Sequence, residues 1–449
     1  MKQRQIAYED EYLGLNKSIA YGLQHVLTMY GGIVAPPLIV GSAIGLTHIE
    51  IGMLITASLF IGGLATLLQT LGMKWFGAKL PLVQGVSFAG VASMIAIGTT
   101  GGGFQTILGA VLASSLIGLI VAPFFSRIIR FFPPVVTGSV ITIIGFSLLP
   151  VALNWIMGGN NKASNWGSLS NLGLAAFTLT VLLVFSRFGT IGLRRVAILL
   201  SIVIGTVFAY ALGYCNFSGV ADGQWLAIPS FLSFGMPIFS IPAIVAMCIV
   251  MIVTLTETTA DILAVGEIVG SEVTQQRIAN GLRADMLSSA IAPFFGTFMQ
   301  SAFAQNVGLV AITGVKSRFV VAAGGMILIL LGLFPIMGRF IAAIPAPVLG
   351  GAGIVLFGSV AASGIRTLGQ VDFSDQKNLI IVAVALSAGM IPMINHDFFI
   401  HFPKWVQMMF HSGISITCVM AVGLNIFFNH LRVKKPISNS ASSSLLSHK

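Results

Sequence analysis

Two carboxylic acids lie where an acid is costly. Most of the 13 acidic residues fall in loops or at segment ends, but Glu257 and Asp261 stand inside the apolar run 237–266. A spacing of four puts both carboxyls on one helix face. Burying either as an anion costs about 3 kcal/mol, so each must face a cavity, a partner or a proton. The alternative is a helix that ends near residue 256 with both acids at the interface, which would strand Ile262 to Val265 outside.

Gln24-His25 falls within the first apolar segment, where a histidine serves either as a helix–helix hydrogen-bond partner or in a polar site; we favour the former, with the site close by. Gln305-Asn306 opens a short segment. Unwound backbone there would present N–H groups and a positive helix end to a ligand's oxygens. The Gln305 amide can pair with a donor beside an acceptor, and a carboxylate such as Glu257 accepts further N–H bonds. Phe88 either stacks on a planar ring or serves in packing. Together these groups suit a small flat heterocycle with alternating N–H and C=O groups, such as a purine dione or pyrimidine dione. A sugar would need more hydroxyl partners, and an amino acid a paired charge site.

The elements that must position these residues are apolar and duplicated. Hydrophobic residues make up 56% of the 449-residue chain and charged ones 8%, roughly a third of the share in a soluble protein. The 51 glycines suit tightly packed membrane helices. Fourteen hydrophobic segments are expected, near 18–43, 49–72, 82–98, 105–126, 134–157, 171–187, 195–214, 237–266, 283–300, 303–315, 318–341, 346–365, 377–394 and 408–430. Segments 82–98 and 303–315 are too short or glycine-rich to be ordinary spans, and they share a phrase. Phe88-Ala89, then Ala96-Ile97 and Gly98, is echoed by Phe303-Ala304, then Ala311-Ile312 and Gly314. Pro123, Arg127 and Pro133 recur as Pro335, Arg339 and Pro345, and Pro134-Val135, Gly138, Ile141 and Gly145 as Pro347-Val348, Gly351, Ile354 and Gly358. Ordered matches point to a duplicated half, and interrupted segments at matching places point to a transporter's binding site between the halves.

With the N-terminus inside, 20 of the 23 Lys and Arg residues fall on the cytoplasmic side, and only Lys162, Arg339 and Lys404 outside. That bias sets the orientation and an even span count, with both termini cytoplasmic. Arg127 then lies inside and its counterpart Arg339 outside, so the halves are inverted. The net charge of +10 is explained by topology and calls for no nucleic-acid partner. Cys215, Cys248 and Cys418 have neither metal nor disulfide spacing, and no cofactor or metal is expected. Residues 1–17 lack a signal-peptide core, and the serine-rich 431–449 reads as a disordered cytoplasmic tail. No nucleophile–base pair or metal cluster supports an intramembrane enzyme.

At these residues the chain resembles the nucleobase–ascorbate transporter family of nucleobase:cation symporters. The family signature, Gln, Glu or Pro, then Asn-x-Gly-x4-Thr and Arg, Lys or Gly, is matched in full from Gln305-Asn306 and Gly308 to Thr313-Gly314. Gln24-His25, the stretch Gln84 to Ala89, Glu257 with Asp261, and Arg283-Ala284-Asp285 match as well. The resemblance implies an all-α polytopic membrane protein of 14 segments in a 7+7 inverted repeat, with short strands in segments 3 and 10. It implies a core domain from 18–130 and 237–341, a gate domain from 131–215 and 342–430, and homodimers through the gates. It further implies that Glu257 and Gln305 bind a base, Phe88 stacks on it, and the Phe88 and Ala304 backbones add hydrogen bonds. Asp261, His25, Asn306, Asp285 and Gln24 would support the site or its coupling to protons. Within the family the chain is similar to bacterial urate and xanthine permeases, because Gln305 stands where uracil carriers have Glu. The small Ser87 would leave room for the extra C8 oxygen of urate, whereas Asp261 leans towards the xanthine type. The expectation is a plasma-membrane proton symporter for urate or xanthine. Other nucleobases of the same family, and an anion exchanger or channel of the same fold, are the alternatives.

Overall fold

The computed structural model describes residues 8–431 apart from 126–128, 216, 219, 221–223, 404–405, 408–409 and 411. The expected tail 432–449, and Lys2, Arg4, Arg127 and Lys404, lie outside the described residues.

The chain is an all-α polytopic membrane protein with, among the described residues, one small sheet. Among the described residues, nine helices are long and apolar enough to span a bilayer, or ten if the pair 318–332 and 335–342, bent by 78°, counts as one. Helix α1 (Leu15–Ala43) and α2 (His48–Leu71) lead to strand β1 (Gln84–Val86), a short 3-10 turn, and the half-length α3 (Val91–Ile97). Then come α4 (Gly103–Val121), α5 (Pro134–Met157), α6 (Leu169–Phe188), the short α7 (Ile191–Arg195) and α8 (Ala197–Ala211). The second part runs α9 (Ile241–Val269), α10 (Gln275–Ile291), strand β2 (Gln300–Ala302), the half-length α11 (Ala304–Thr313), α12 (Arg318–Gly332) and α13 (Pro335–Ala342). It closes with α14 (Ala346–Leu368), α15 (Gln376–Ile394) and α16 (Gly413–Asn425).

Two expected boundaries change. Helix α10 begins at Gln275, eight residues before the apolar segment expected at 283–300, because Thr274 caps it by accepting the Arg277 N–H over 3.2 Å. Its first turns are polar, so hydropathy does not register them. Strand β2 occupies 300–302 and so precedes the segment 303–315 in which a strand was expected. The Gln300 backbone is taken up by Ser289 and by β1, which leaves the helix to start only at Ala304.

Close helix crossings depend on glycine. A Cβ on Gly63 of α2 would lie 2.6 Å from the Gly325 carbonyl of α12, and one on Gly22 of α1 2.8 Å from the Gly324 nitrogen. Helices α5 and α14 cross in the same way, Gly145 resting on the Ala361 backbone and Gly364 on that of Thr142. Small residues let backbones approach where lipid supplies no hydrophobic drive between helices. The packing is paired across the chain: α12 lies on α1 and α2, and α4 lies on α9 and α10.

Candidate substrate site

The two strands join antiparallel, Gln84 opposite Ala302 and Val86 opposite Gln300. Each is held by a hydroxyl from a neighbouring helix. The Gln84 N–H donates to Thr66 Oγ1 over 2.9 Å, and the Gln300 N–H to Ser289 Oγ over 2.8 Å. Each strand then turns into a half-helix. Ser87 accepts the Ala89 N–H at 3.3 Å, and Phe303 holds the extended N-cap conformation before Ala304. The N-termini of the two half-helices, positive ends of their dipoles, therefore flank one small sheet.

Phe88 and Phe303 come together at α1. A Cβ on Gly32 would lie 3.6 Å from the Phe303 ring and 4.0 Å from the Phe88 ring. Phe88 is buried and meets Phe357 of α14 edge-on, with ring centres 6.3 Å apart. Pro36 and Pro37 lie inside α1, so the carbonyls of Gly32 and Ile33 lose their helical N–H partners at this level.

Helix α9 runs unbroken from Ile241 to Val269, which removes the alternative of a helix ending near residue 256. Ile262 and Val265 are fully buried. Glu257 is half-buried, and its carboxyl takes part in no hydrogen bond or ion pair among the described residues. It lines a cavity of about 50 Å³ with Thr256, Ala260, Thr137, Val140, Ile141 and Thr367, room for a few waters but not for a bicyclic base. Asp261, one turn on, is buried and likewise has no hydrogen-bond partner among the described residues.

His25 Nδ1 and Asn306 Oδ1 lie 2.7 Å apart, both side chains buried. Asn306 Nδ2 donates to the Pro81 carbonyl over 2.6 Å. That bond fixes which end of the Asn306 amide faces His25, so His25 Nδ1 must carry the proton and donate. His25 is thus a helix–helix hydrogen-bond partner, and Asn306, buried and bonded to protein at both ends of its amide, faces away from the exposed side on which Gln305 lies. Gln305 and Ala304 beside it are exposed. Gln24 is half-buried, and its carbonyl accepts from Thr28. The hydroxyl of Ser87 lies 3.3 Å from Thr254 of α9. Asp285 accepts at both oxygens, from Thr258 over 2.5 Å and from Gln69 over 3.2 Å. No described side-chain hydrogen bond joins Glu257, Asp261 or Gln305 to another residue of the expected set.

The sequence reading missed Thr258, Gln69 and Gln300. Their signal was polarity inside apolar stretches, the same signal that singled out Glu257. The side-chain amide of Gln84 and the Oε1 of Gln300 are fully buried with no hydrogen-bond partner among the described residues, so the sheet keeps spare polar capacity for water. Among the described residues no three His, Cys, Asp or Glu side chains gather as a metal site.

The model of the Permease family, Xan_ur_permease, matches residues 16–398. The chain belongs to this family, in its bacterial urate–xanthine branch. The permease is 43% identical to "Uric acid transporter UacT" of Escherichia coli over 94% of its own length and 88% of that protein's. It is 40% identical to "Xanthine permease" of Bacillus subtilis (95% and 97% covered) and 41% to "Uric acid permease PucK" of that organism (93% and 96%). Among solved structures it is similar in fold to the transmembrane domain of a cyanobacterium bicarbonate transporter, BicA, with a TM-score of 0.60 at 13% identity, covering 94% of this chain and all of that one. Murine Slc26a9, described as an anion transporter in the inward-facing state, gives 0.65 at 12% identity, covering 93% and 69%.

Proposed function

We propose that this permease imports urate, with xanthine a close second, across the plasma membrane together with protons. The observation that carries this reading is Glu257: a carboxyl in mid-helix with no hydrogen-bond or ion-pair partner among the described residues, on a helix packed against the half-helix that exposes Gln305. A carboxylate accepts the N–H groups of a purine dione, and a Gln amide matches its adjoining N–H and C=O. Phe88 supplies a stacking face, and the Phe88 and Ala304 N–H groups at the half-helix starts meet its oxygens. Protonation in the Glu257 and Asp261 region lets the site load. His25, Asn306, Gln24 and Asp285 support it from behind. The names of the relatives at 40–43% identity agree with the substrate class.

The proposed architecture is 14 segments in a 7+7 inverted repeat, a core (18–130 and 237–341) rocking against a gate (131–215 and 342–430), and dimers through the gates. The paired packing of α12 on α1 and α2 and of α4 on α9 and α10 supports it, as do the matching hydroxyl clamps on Gln84 and Gln300. Orientation with both termini cytoplasmic is supported by the Lys and Arg bias. Arg277 and Arg318 gather at the end of α2 that holds Leu71, whereas Gly52 near its start meets Arg339.

The fold is shared with anion transporters, which makes anion exchange the second reading. A carboxylate and an amide, where a small anion would need a cation, weigh against it. Competition of labelled xanthine uptake by urate, uracil, guanine and ascorbate at two pH values decides the substrate. Urate and xanthine should compete best, and uptake should follow a proton gradient; dependence on sodium instead refutes the coupling. Glu257→Gln should abolish uptake while leaving the protein in the membrane, and near-normal transport by that variant removes Glu257 from the site.

A further inference from the structure

We propose that Thr258 is a positioning residue for the purine, a role that rests on the purine-permease reading above. Its hydroxyl donates to Asp285 Oδ2 over 2.5 Å and accepts the Ala302 N–H over 3.3 Å. An amide N–H can only donate, so the oxygen of Thr258 accepts there and its single hydrogen is left for Asp285. Ala302 ends β2, and two residues later α11 begins with Ala304 and Gln305. Thr258 itself follows Glu257 on α9. One hydroxyl therefore fixes the strand that launches Gln305 relative to the helix that carries Glu257.

Its neighbours show that this arrangement is particular to Thr258. Thr256 and Thr259 return their hydroxyls to carbonyls of their own helix, those of Ile252 and Leu255. Thr66, the hydroxyl that holds β1, does the same, donating to the Gly62 carbonyl over 2.8 Å. Thr258 alone of these four bonds an acid on another helix. Asp285 is held in turn by Gln69, whose Oε1 accepts the Ala78 N–H over 2.9 Å, and both Thr258 and Asp285 are buried. Asp285 thus acts on the base without touching it: it fixes the direction of the Thr258 hydroxyl, and the hydroxyl fixes β2.

Thr258→Val removes the hydroxyl and keeps the volume. Its KM for xanthine uptake should rise roughly tenfold, the worth of about one net hydrogen bond. The maximal rate per molecule in the membrane should stay within about twofold, and Thr258→Ser should restore KM. A purely structural role would lower the amount of protein but leave the KM of the surviving molecules unchanged. In the Asp285→Asn background, Thr258→Val should add little, since the two act as one unit. A wild-type KM in Thr258→Val, a Thr258→Ser variant as impaired as Thr258→Val, or additive effects with Asp285→Asn would overturn the proposal. Should Thr258→Val not accumulate, Thr258→Ala and Thr258→Ser give the same comparison, Ser with a wild-type KM and Ala without. Absence of saturable xanthine or urate uptake by the unaltered protein overturns the functional reading itself, whereas wild-type uptake with an unchanged Thr258→Val KM overturns this proposal alone.

Discussion

Asn306→Leu should loosen the half-helix that carries Gln305, because it removes two buried hydrogen bonds without a large change in volume. The 2.7 Å contact to His25 and the 2.6 Å donation to the Pro81 carbonyl both disappear. Each partner left buried and unpaired costs about 1–3 kcal/mol, so the expected loss is about 2–6 kcal/mol. His25→Leu strands one group, the Asn306 carbonyl, and should cost about 1–3 kcal/mol. The double variant removes both members of the pair, so its cost should fall short of the sum by about 0.5–3 kcal/mol. Unfolding of the purified protein by titration with a denaturing detergent gives the four stabilities, and urate uptake in vesicles shows whether the loss reaches the site. His25→Gln, which keeps a donor, should lie between wild type and His25→Leu. Additivity of the two leucine variants within about 0.3 kcal/mol would refute the reasoning. The bond between residues 281 positions apart would then contribute nothing to holding α11 against α1.

Three other outcomes are expected. Ser87→Asn places a larger amide where the buried hydroxyl packs 3.3 Å from Thr254; it should weaken urate uptake more than xanthine uptake, and equal effects would remove Ser87 from specificity. Gly63→Ala forces a Cβ to within 2.6 Å of the Gly325 carbonyl; it should cost about 1–3 kcal/mol in detergent unfolding, and unchanged stability would show that the α2–α12 crossing has slack. Glu9 is bonded to Arg277 at 3.1 Å and to Ser271. Burial alone would raise its pKa, but the bonds from Ser271, its own backbone N–H and Arg277 outweigh that and hold it below the ordinary glutamate value of 4.5. The folded pKa lies under the unfolded one, so this contribution is full above the unfolded value and is lost as pH falls through the lowered value. Glu9→Gln should therefore flatten the acid limb of the stability curve below 4.5, and parallel curves for the two proteins would show that the contacts of Glu9 with Arg277 and Ser271 add no stability.

Some of the site was legible because polarity in an apolar run is costly. Glu257, Asp261, His25 and Gln305-Asn306 each stood out for that reason, and the duplicated phrase marked the two broken segments. The division of labour within the pair Gln305-Asn306 was not legible. Adjacent residues on a helix point in different directions, and which one is exposed depends on what packs behind it. Here His25 and Pro81, distant in sequence, engage Asn306 and leave Gln305 open. The beginning of α10 escaped hydropathy because its cap and first turns are polar, and β2 escaped because three residues carry no periodic signal.

By itself the sequence determined the solvent and the frame. A chain with 8% charge must satisfy its backbone inside helices, and its internal echo marks where the helices break. The matched signature determined the family. Only the tertiary structure decided which polar groups are free and which are taken. Asp285 is closed by Thr258 and Gln69, Asn306 by His25 and Pro81, while the Glu257 carboxyl remains without a described partner. The reason is physical: sequence sets how many buried donors and acceptors exist, but their pairing requires contacts within hydrogen-bonding distance, here between residues up to 281 positions apart.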